Sequence, residues 1–335
     1  MTYPTTRRFP NEQATGTGSA ADGPVAEIAV LPEHDPRFAS LVEWVLGETG
    51  RDRCGKSTDG DRRPAVPPRE LLLVLARQGT RTVGAVLAHA PSKGVAEVLM
   101  PRLLPGSGGR LGERLVARIT AELERRPIQV MVAYLAPACS EGRAWFVAQG
   151  YGRTRDLLVL CGDASAASPP DLPPGWRLRP GCSVDRESLG RMLTETSLES
   201  LDFPELAGGL PAEDRLRAME RAGGWGERCW SLVEWQGRLV GCLLVTDRPA
   251  ADRCELTYWG LAPRARGRGR GQWLVRHALG QTRARGRSHL IAGVDSANDP
   301  ALANYAQAGF VVIQRRQVFY RVPGSSCGLG APFAG

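Results

Sequence analysis

Lysine is nearly absent from this chain of 335 residues: Lys56 and Lys93 are the only two, so almost all of its 43 basic side chains are arginine. Such a bias can come from base composition and by itself implies no mechanism. The eight cysteines include no C-x-x-C pair, which excludes a zinc framework or a disulfide scaffold by spacing and leaves idle thiols in a reducing compartment; no metal site is expected. No run of 18 apolar residues exists, which excludes a membrane-spanning helix. Met1 to Gly23 is polar, without the apolar core of a signal peptide, and reads as a disordered tail over 1–24 of a cytoplasmic protein.

What is present is an ordinary globular composition, 42% apolar and 23% charged. At roughly 100–200 residues per domain the length suggests two domains. The net charge of +8 is local: Arg253 to Arg287 holds nine arginines and one acid, Glu255, so the rest of the chain sums to zero. One concentrated basic segment suggests an anionic ligand at one place more than a chain coated for nucleic acid.

The chain repeats itself. Gln78-Gly79 followed by Val83-Gly84 matches Gln236-Gly237 followed by Val240-Gly241, each in a β-hairpin pattern. Gly112-Glu113-Arg114-Leu115-Val116 matches Gly271-Gln272-Trp273-Leu274-Val275, and Gln149-Gly150-Tyr151 matches Ala308-Gly309-Phe310. Three matches in order, at an almost constant offset, argue for duplication. The Ser-, Ala- and Pro-rich stretch 163–175 reads as a linker between domains over 25–162 and 176–322, and 323–335 reads as a second disordered tail. The second copy reads β-α-α-β-β-β-α-β-α-β, an α/β unit with one mixed sheet, in which Phe310 to Val322 supplies one or two final strands.

Two motif matches fail on context. Gly50 to Ser57 fits the phosphate-loop pattern G-x-x-x-x-G-K-S, but a helical segment precedes it and a Pro-rich one follows, where a strand and a helix are needed. Gly324-Ser-Ser326-Cys-Gly328 fits the hydrolase elbow G-x-S-x-G with only seven residues after it. The segment Leu261-Ala-Pro263-Arg-Ala-Arg266-Gly267-Arg268-Gly269-Arg270-Gly271 does lie between a predicted strand and a predicted helix. Alternating glycines allow close backbone approach, the helix start offers free N–H groups, and the arginines supply paired donors, which together make a phosphate cradle. A Gly-Arg segment for RNA would be longer and interleaved with aromatics.

This segment resembles the acyl-CoA signature R/Q-x-x-G-x-G/A of the GNAT N-acetyltransferase superfamily. Asn298-Asp-Pro-Ala301, Tyr305 and Gly309-Phe310 resemble its second signature. The likeness covers 176–322, and 25–162 weakly; two joined copies with the first one worn are similar in arrangement to mycothiol synthases. The resemblance implies α/β architecture, two tandem acyl-CoA N-acyltransferase domains, each a mixed twisted sheet flanked by helices. It implies acetyl-CoA as co-substrate and a small-molecule amine as acceptor, with nucleic acid and membrane not expected as partners. Neither it nor the composition fixes an oligomeric state.

Residue by residue, the resemblance puts Trp259, Gly260 and Leu261 against the pantetheine arm through their backbone, with an N–H near Leu261 for the oxyanion. Arg266, Gly267, Arg268, Gly269, Arg270, Gly271 and Gln272 fall on the phosphates, Asn298 on the cofactor side, and Tyr305 on the general acid. Packing on a helical face is the other reading of Tyr305, and a helix N-cap the other reading of Asn298. For the base, Glu255 is the better-placed carboxylate and Asp247 the second, each of which also reads as a solvated strand end. Met192 to Asp214 carries six acids, among them Glu199, Asp202 and Glu205, and no Lys or Arg, which suits a cationic acceptor. The first copy has Ser107, Arg110, Cys139 and Phe146 where the second has Arg266, Gly269, Asn298 and Tyr305, so one acetyl-CoA per chain is expected. A non-catalytic acyl-CoA sensor and a nucleic-acid binder using the 253–287 arginines are the rival functions.

Overall fold

The computed structural model describes residues 26–53, 68–90, 94–107, 110–181, 185–204, 211–219, 230–248 and 251–324, with backbone alone at 47–53 and 218. The tail read at 1–24 and residue 25 after it, residues 325–335 of the tail read at 323–335, the Cys54 to Ser57 part of the phosphate-loop match, Gly108 and Glu205 lie outside these residues. The helix preceding that match is present, Phe38–Arg53.

The first copy runs β1 (Glu27–Leu31), α1 (Phe38–Arg53), β2 (Leu71–Gln78), β3 (Arg81–His89), β4 (Gly94–Val98), β5 (Arg102–Leu103), α2 (Leu111–Glu124), β6 (Ile128–Leu135), α3 (Ser140–Ala148) and β7 (Gly152–Asp163). The second runs β8 (Trp176–Pro180), α4 (Arg186–Ser197), α5 (Ala212–Met219), β9 (Trp230–Trp235), β10 (Arg238–Arg248), β11 (Arg253–Leu261), α6 (Arg270–Ala284), β12 (His289–Asp295), α7 (Asp299–Gln307) and β13 (Val311–Arg321). The segment from Phe310 onward forms one strand. The hairpins predicted at Gln78-Gly79 and Gln236-Gly237 are both present; Gln236 and Gly237 both have positive φ (49° and 76°), as a two-residue turn between twisted strands requires.

All strands join one mixed sheet in the order β1-β2-β3-β4-β6-β13-β7-β12-β11-β10-β9-β8, with β5 paired to β3. The copies exchange their last strands. β7, from the first copy, pairs with β12 from His289↔Asp163 to Asp295↔Leu157. β13, from the second, pairs with β6 from Gln317↔Leu135 to Arg321↔Met131. β7 and β13 pair with each other at the seam.

Each copy has apolar layers on both faces of the sheet. Leu115, Ile119 and Phe146 close one face of the first copy and Phe38, Leu41 and Val45 the other. In the second copy Val275, Leu279 and Tyr305 line one face and Leu189, Leu193 and Leu216 the other. The duplication survives in detail. An added Cβ at Gly112 would lie 2.4 Å from the Trp145 ring, and one at Gly271 would lie 2.5 Å from the Asn304 amide, so the matching helix pairs touch at matching glycines. No helix of the described residues is long and apolar enough to cross a membrane.

Candidate active site

β11 and β12 run parallel from Arg253↔His289 to Leu256↔Ala292 and then part. Beyond Leu256, β11 stays bound to β10, with a bulge between Leu244 and Val245, while β12 stays bound to β7. The parting opens a wedge. The Ala262 N–H bonds to the Val240 carbonyl at 2.8 Å, so by the alternation of an antiparallel ladder the peptide groups of Leu261 face the wedge. The Leu261 carbonyl there accepts from Arg266 Nε at 3.0 Å.

The loop after β11 turns through three successive left-handed residues, Gly267 (φ 81°), Arg268 (φ 54°) and Gly269 (φ 73°). Added Cβ atoms at Gly267 or Gly269 would meet nothing within 4 Å, so the loop backbone borders open space. Gly269 caps α6 without a side-chain hydrogen bond. The first bonds at that end are Arg270 N–H to the Gly267 carbonyl and Trp273 N–H to the Gly269 carbonyl, which leaves the Gly271 and Gln272 N–H groups without partners among the described residues. Bare N–H groups at a helix start beside an exposed Arg268 fit a phosphate chain.

The other loop arginines are engaged elsewhere. Arg266 was expected on the pyrophosphate; its guanidinium instead spans from Leu261 to the carbonyls of Thr196, Leu198 and Glu199, tying the end of α4 to the loop. Arg270 lies over Trp176 and Trp235, at 4.9 and 5.3 Å from their ring centroids. Arg264 pairs with Glu195. The missing side chain of Gly271 serves the contact between α6 and α7, since an added Cβ would meet Asn304.

Tyr305, 3% exposed, accepts a hydrogen bond from Trp259 Nε1 at 2.7 Å, three residues beyond the point where β11 leaves β12. Phe310 packs edge-on against its ring at 5.1 Å. Burial pushes the phenol well above its ordinary range, the Trp259 bond opposes this, and the charge of Asp202 adds to it. The hydroxyl oxygen is taken by an incoming N–H, so its own hydrogen is free for another acceptor. At the matching place in the first copy Phe146 packs against Tyr151, also at 5.1 Å and with no hydroxyl of its own.

Asn298 is the N-cap that one reading of its position expected. Its Oδ1 caps α7 by accepting from Ala301 N–H at 3.3 Å, and its side chain bonds to Asp202. Glu255 lies between Arg248 (3.0 Å) and Arg253 (3.6 Å), and Asp247, near the end of β10, pairs with Arg287 (2.8 Å), so both candidate bases are ion-paired at strand ends. Near Trp259 and Tyr305 stands a pair that the sequence did not single out as such. Asp202 accepts from the Asp295 N–H at 2.7 Å, and the Asp295 carboxylate is fully buried. Burial, followed by the charge of Asp295, raises the Asp202 carboxyl above the ordinary carboxylate range. Asp202 is nevertheless open to solvent, as a group on the wall of a cleft would be. The available signal was weak: Asp295 ends an apolar strand three residues before Asn298. Among the described residues no group of His, Cys, Asp or Glu is gathered to hold a metal.

Residues 195–310 match the family model described as Acetyltransferase (GNAT) family. The mycothiol acetyltransferase of Acidothermus cellulolyticus is 28% identical over 309 residues, covering 86% of this chain and 82% of that protein. The mycothiol acetyltransferase of Corynebacterium glutamicum is 28% identical over 173 residues, and the match spans 58% of its length. Two solved structures share the fold. A GCN5-related N-acetyltransferase from Sphaerobacter thermophilus superposes with a TM-score of 0.60 at 20% identity, covering 89% of this chain and 95% of that one. A tandem GNAT protein from the clavulanic acid biosynthesis pathway gives 0.59 at 18% identity, covering 90% and 99%. The stretch 195–310 is thus similar to the GNAT acetyltransferase family.

Proposed function

We propose that this chain transfers an acetyl group from acetyl-CoA to a primary amine on a small molecule, and that the second copy carries the reaction. The observation that carries this reading is the wedge between β11 and β12, with the Trp259–Tyr305 hydrogen bond beside it. Bound acetyl-CoA supplies an electrophilic thioester carbon. The free N–H groups of Gly271 and Gln272, with Arg268, hold its phosphates, and Trp259, Gly260 and Leu261 border the arm. The Leu261 N–H, turned into the wedge, donates to the carbonyl oxygen as it gains charge. The amine nitrogen bonds to the carbonyl carbon, the carbon–sulfur bond breaks, and the Tyr305 hydroxyl gives its proton to the departing sulfur. The proton lost by the amine goes to a carboxylate, Asp202 or Glu255; Tyr305 regains its proton from solvent as CoA leaves.

The acidic stretch around Glu199 and Asp202 favours a cationic acceptor. The name carried by the relatives, mycothiol acetyltransferase, favours an acceptor of the mycothiol kind. The test is CoA release from acetyl-CoA across a library of small amines, with Gly269→Glu as the control. That change places a carboxylate at a left-handed residue facing the phosphates. Release with one or more amines, lost in Gly269→Glu, supports the reading. Acetyl-CoA binding without release for any amine would replace it with the sensor reading.

A further inference from the structure

The acceptor side of the second copy is built on the seam between the copies. After α4, which ends at Ser197, the chain passes through two left-handed non-glycine residues, Glu199 (φ 55°) and Phe203 (φ 46°). Non-glycine residues hold that conformation only where their surroundings enforce it. Here the surroundings are specific. The Phe203 N–H bonds to Asp295 Oδ2 at 3.1 Å, and the Asp295 N–H bonds to Asp202 Oδ1 at 2.7 Å. The Phe203 ring packs against the buried cluster of Val130 and Val132 on β6 and Val318 on the exchanged strand β13. Asp295 is a fully buried carboxylate whose ion-pair partner among the described residues is Arg155, at 3.1 Å, and Arg155 belongs to β7 of the first copy. Its other oxygen takes the Ala297 N–H at 2.9 Å. The backbone is sewn at the same place, with Ser296 N–H to the Asp156 carbonyl at 2.9 Å and Asp156 N–H to Ser296 Oγ at 3.2 Å.

A buried carboxylate with one cationic partner depends heavily on that partner, because removing it leaves an uncompensated charge. Asp295 in turn holds the turn that presents Asp202 beside Tyr305. We infer that Arg155 is a positioning residue for the acceptor. Through Asp295 it fixes the 199–204 turn, so the worn first copy acts in the reaction by way of its exchanged strand rather than through a site of its own. This rests on the amine-acceptor reading above, but its structural half stands apart from it.

The experiment compares the full chain with Arg155→Gln and Arg155→Lys in three measurements: acetyl-CoA affinity by calorimetry, kcat/KM for the best amine, and amide hydrogen exchange over 198–204. Small misplacements of a binding group cost up to about a hundred-fold in rate. Arg155→Gln is expected to lower kcat/KM for the amine by about ten-fold or more, to speed exchange over 198–204, and to leave acetyl-CoA affinity within about two-fold. Arg155→Lys keeps the charge without the planar fork and is expected to recover part of the loss; it carries the test if the Gln variant does not fold. Unchanged exchange, or unchanged amine kinetics in a folded variant, overturns the inference. So does an equal loss of acetyl-CoA affinity, which would make Arg155 a general fold residue. A parent chain that binds acetyl-CoA and acetylates no amine removes the amine reading alone, and hydrogen exchange then decides whether Arg155 holds the turn.

Discussion

Tyr305→Phe separates an acid from a packing residue. The change removes one oxygen and keeps the ring that packs on Phe310 and Trp259. In stability it loses the Trp259 Nε1 hydrogen bond of 2.7 Å, worth about 1 kcal/mol for a neutral pair with one partner half-buried. In rate the loss is larger. A thiolate of pKa near 8.5 leaving against a phenol near 10 makes full proton transfer uphill by about 2 kcal/mol. Burial at this site makes the phenol weaker still, so it is protonated at neutral pH until the sulfur has gained charge, and its hydrogen bond to the sulfur strengthens along the way to proton transfer. Losing that bond is expected to lower kcat by about ten-fold or more, with acetyl-CoA affinity unchanged. The assay is release of CoA thiol at saturating substrates, paired with calorimetry for acetyl-CoA. If kcat stays within about two-fold of the parent while stability falls as stated, Tyr305 does what Phe146 does in the first copy, and the acid role is wrong.

Three further outcomes are expected. Gly112→Ala drives a methyl into the buried Trp145 ring and should lower stability by about 1–3 kcal/mol in chemical denaturation. Gly271→Ala meets the rotatable end of Asn304 and should cost less; the reverse order would refute the packing argument. Calorimetry should find one acetyl-CoA per chain, because Arg110 opens α2 in right-handed conformation (φ −89°) where Gly269 opens α6 in left-handed (φ 73°); a stoichiometry of two overturns this. Finally, the raised Tyr305 phenol means that the folded state keeps its proton above pH 10 where an unfolded chain releases it, so this group's contribution to stability falls as pH rises past 10. The gap in Tm between the parent and Tyr305→Phe should therefore narrow from pH 9 to pH 11, and a gap that widens would contradict the sign.

Much of the second copy was readable because its signals are local. The Gln236-Gly237 turn, the apolar period of α6 and the glycines before it each act within a few residues, and the elements follow in the expected order. The site was readable where one motif meets another: Trp259 and Tyr305 lie 46 positions apart, and they join because each sits at a fixed place on its own element. What could not be read is long-range. Arg266 and Arg268 have the same chemistry in the sequence, and only the approach of α4 decides that one ties carbonyls while the other stays exposed. The strand exchange is hidden for a related reason: β7 and β13 have strand-like sequences at equivalent offsets, and nothing in either tells which copy's sheet it will join.

That exchange also sets an order of events during synthesis. β6 has β4 on one side from the start but gains its second neighbour only when β13 exists, since Met131 pairs with Arg321. A nascent chain that has emerged as far as the linker holds a first sheet with β6 as an open edge, and its own β7 awaits β12, which has not yet been made. Open edges of this kind invite pairing with other chains. The two copies therefore mature together, at the release of the last strand, and a ribosome stalled inside the second copy would strand the first with its edges bare.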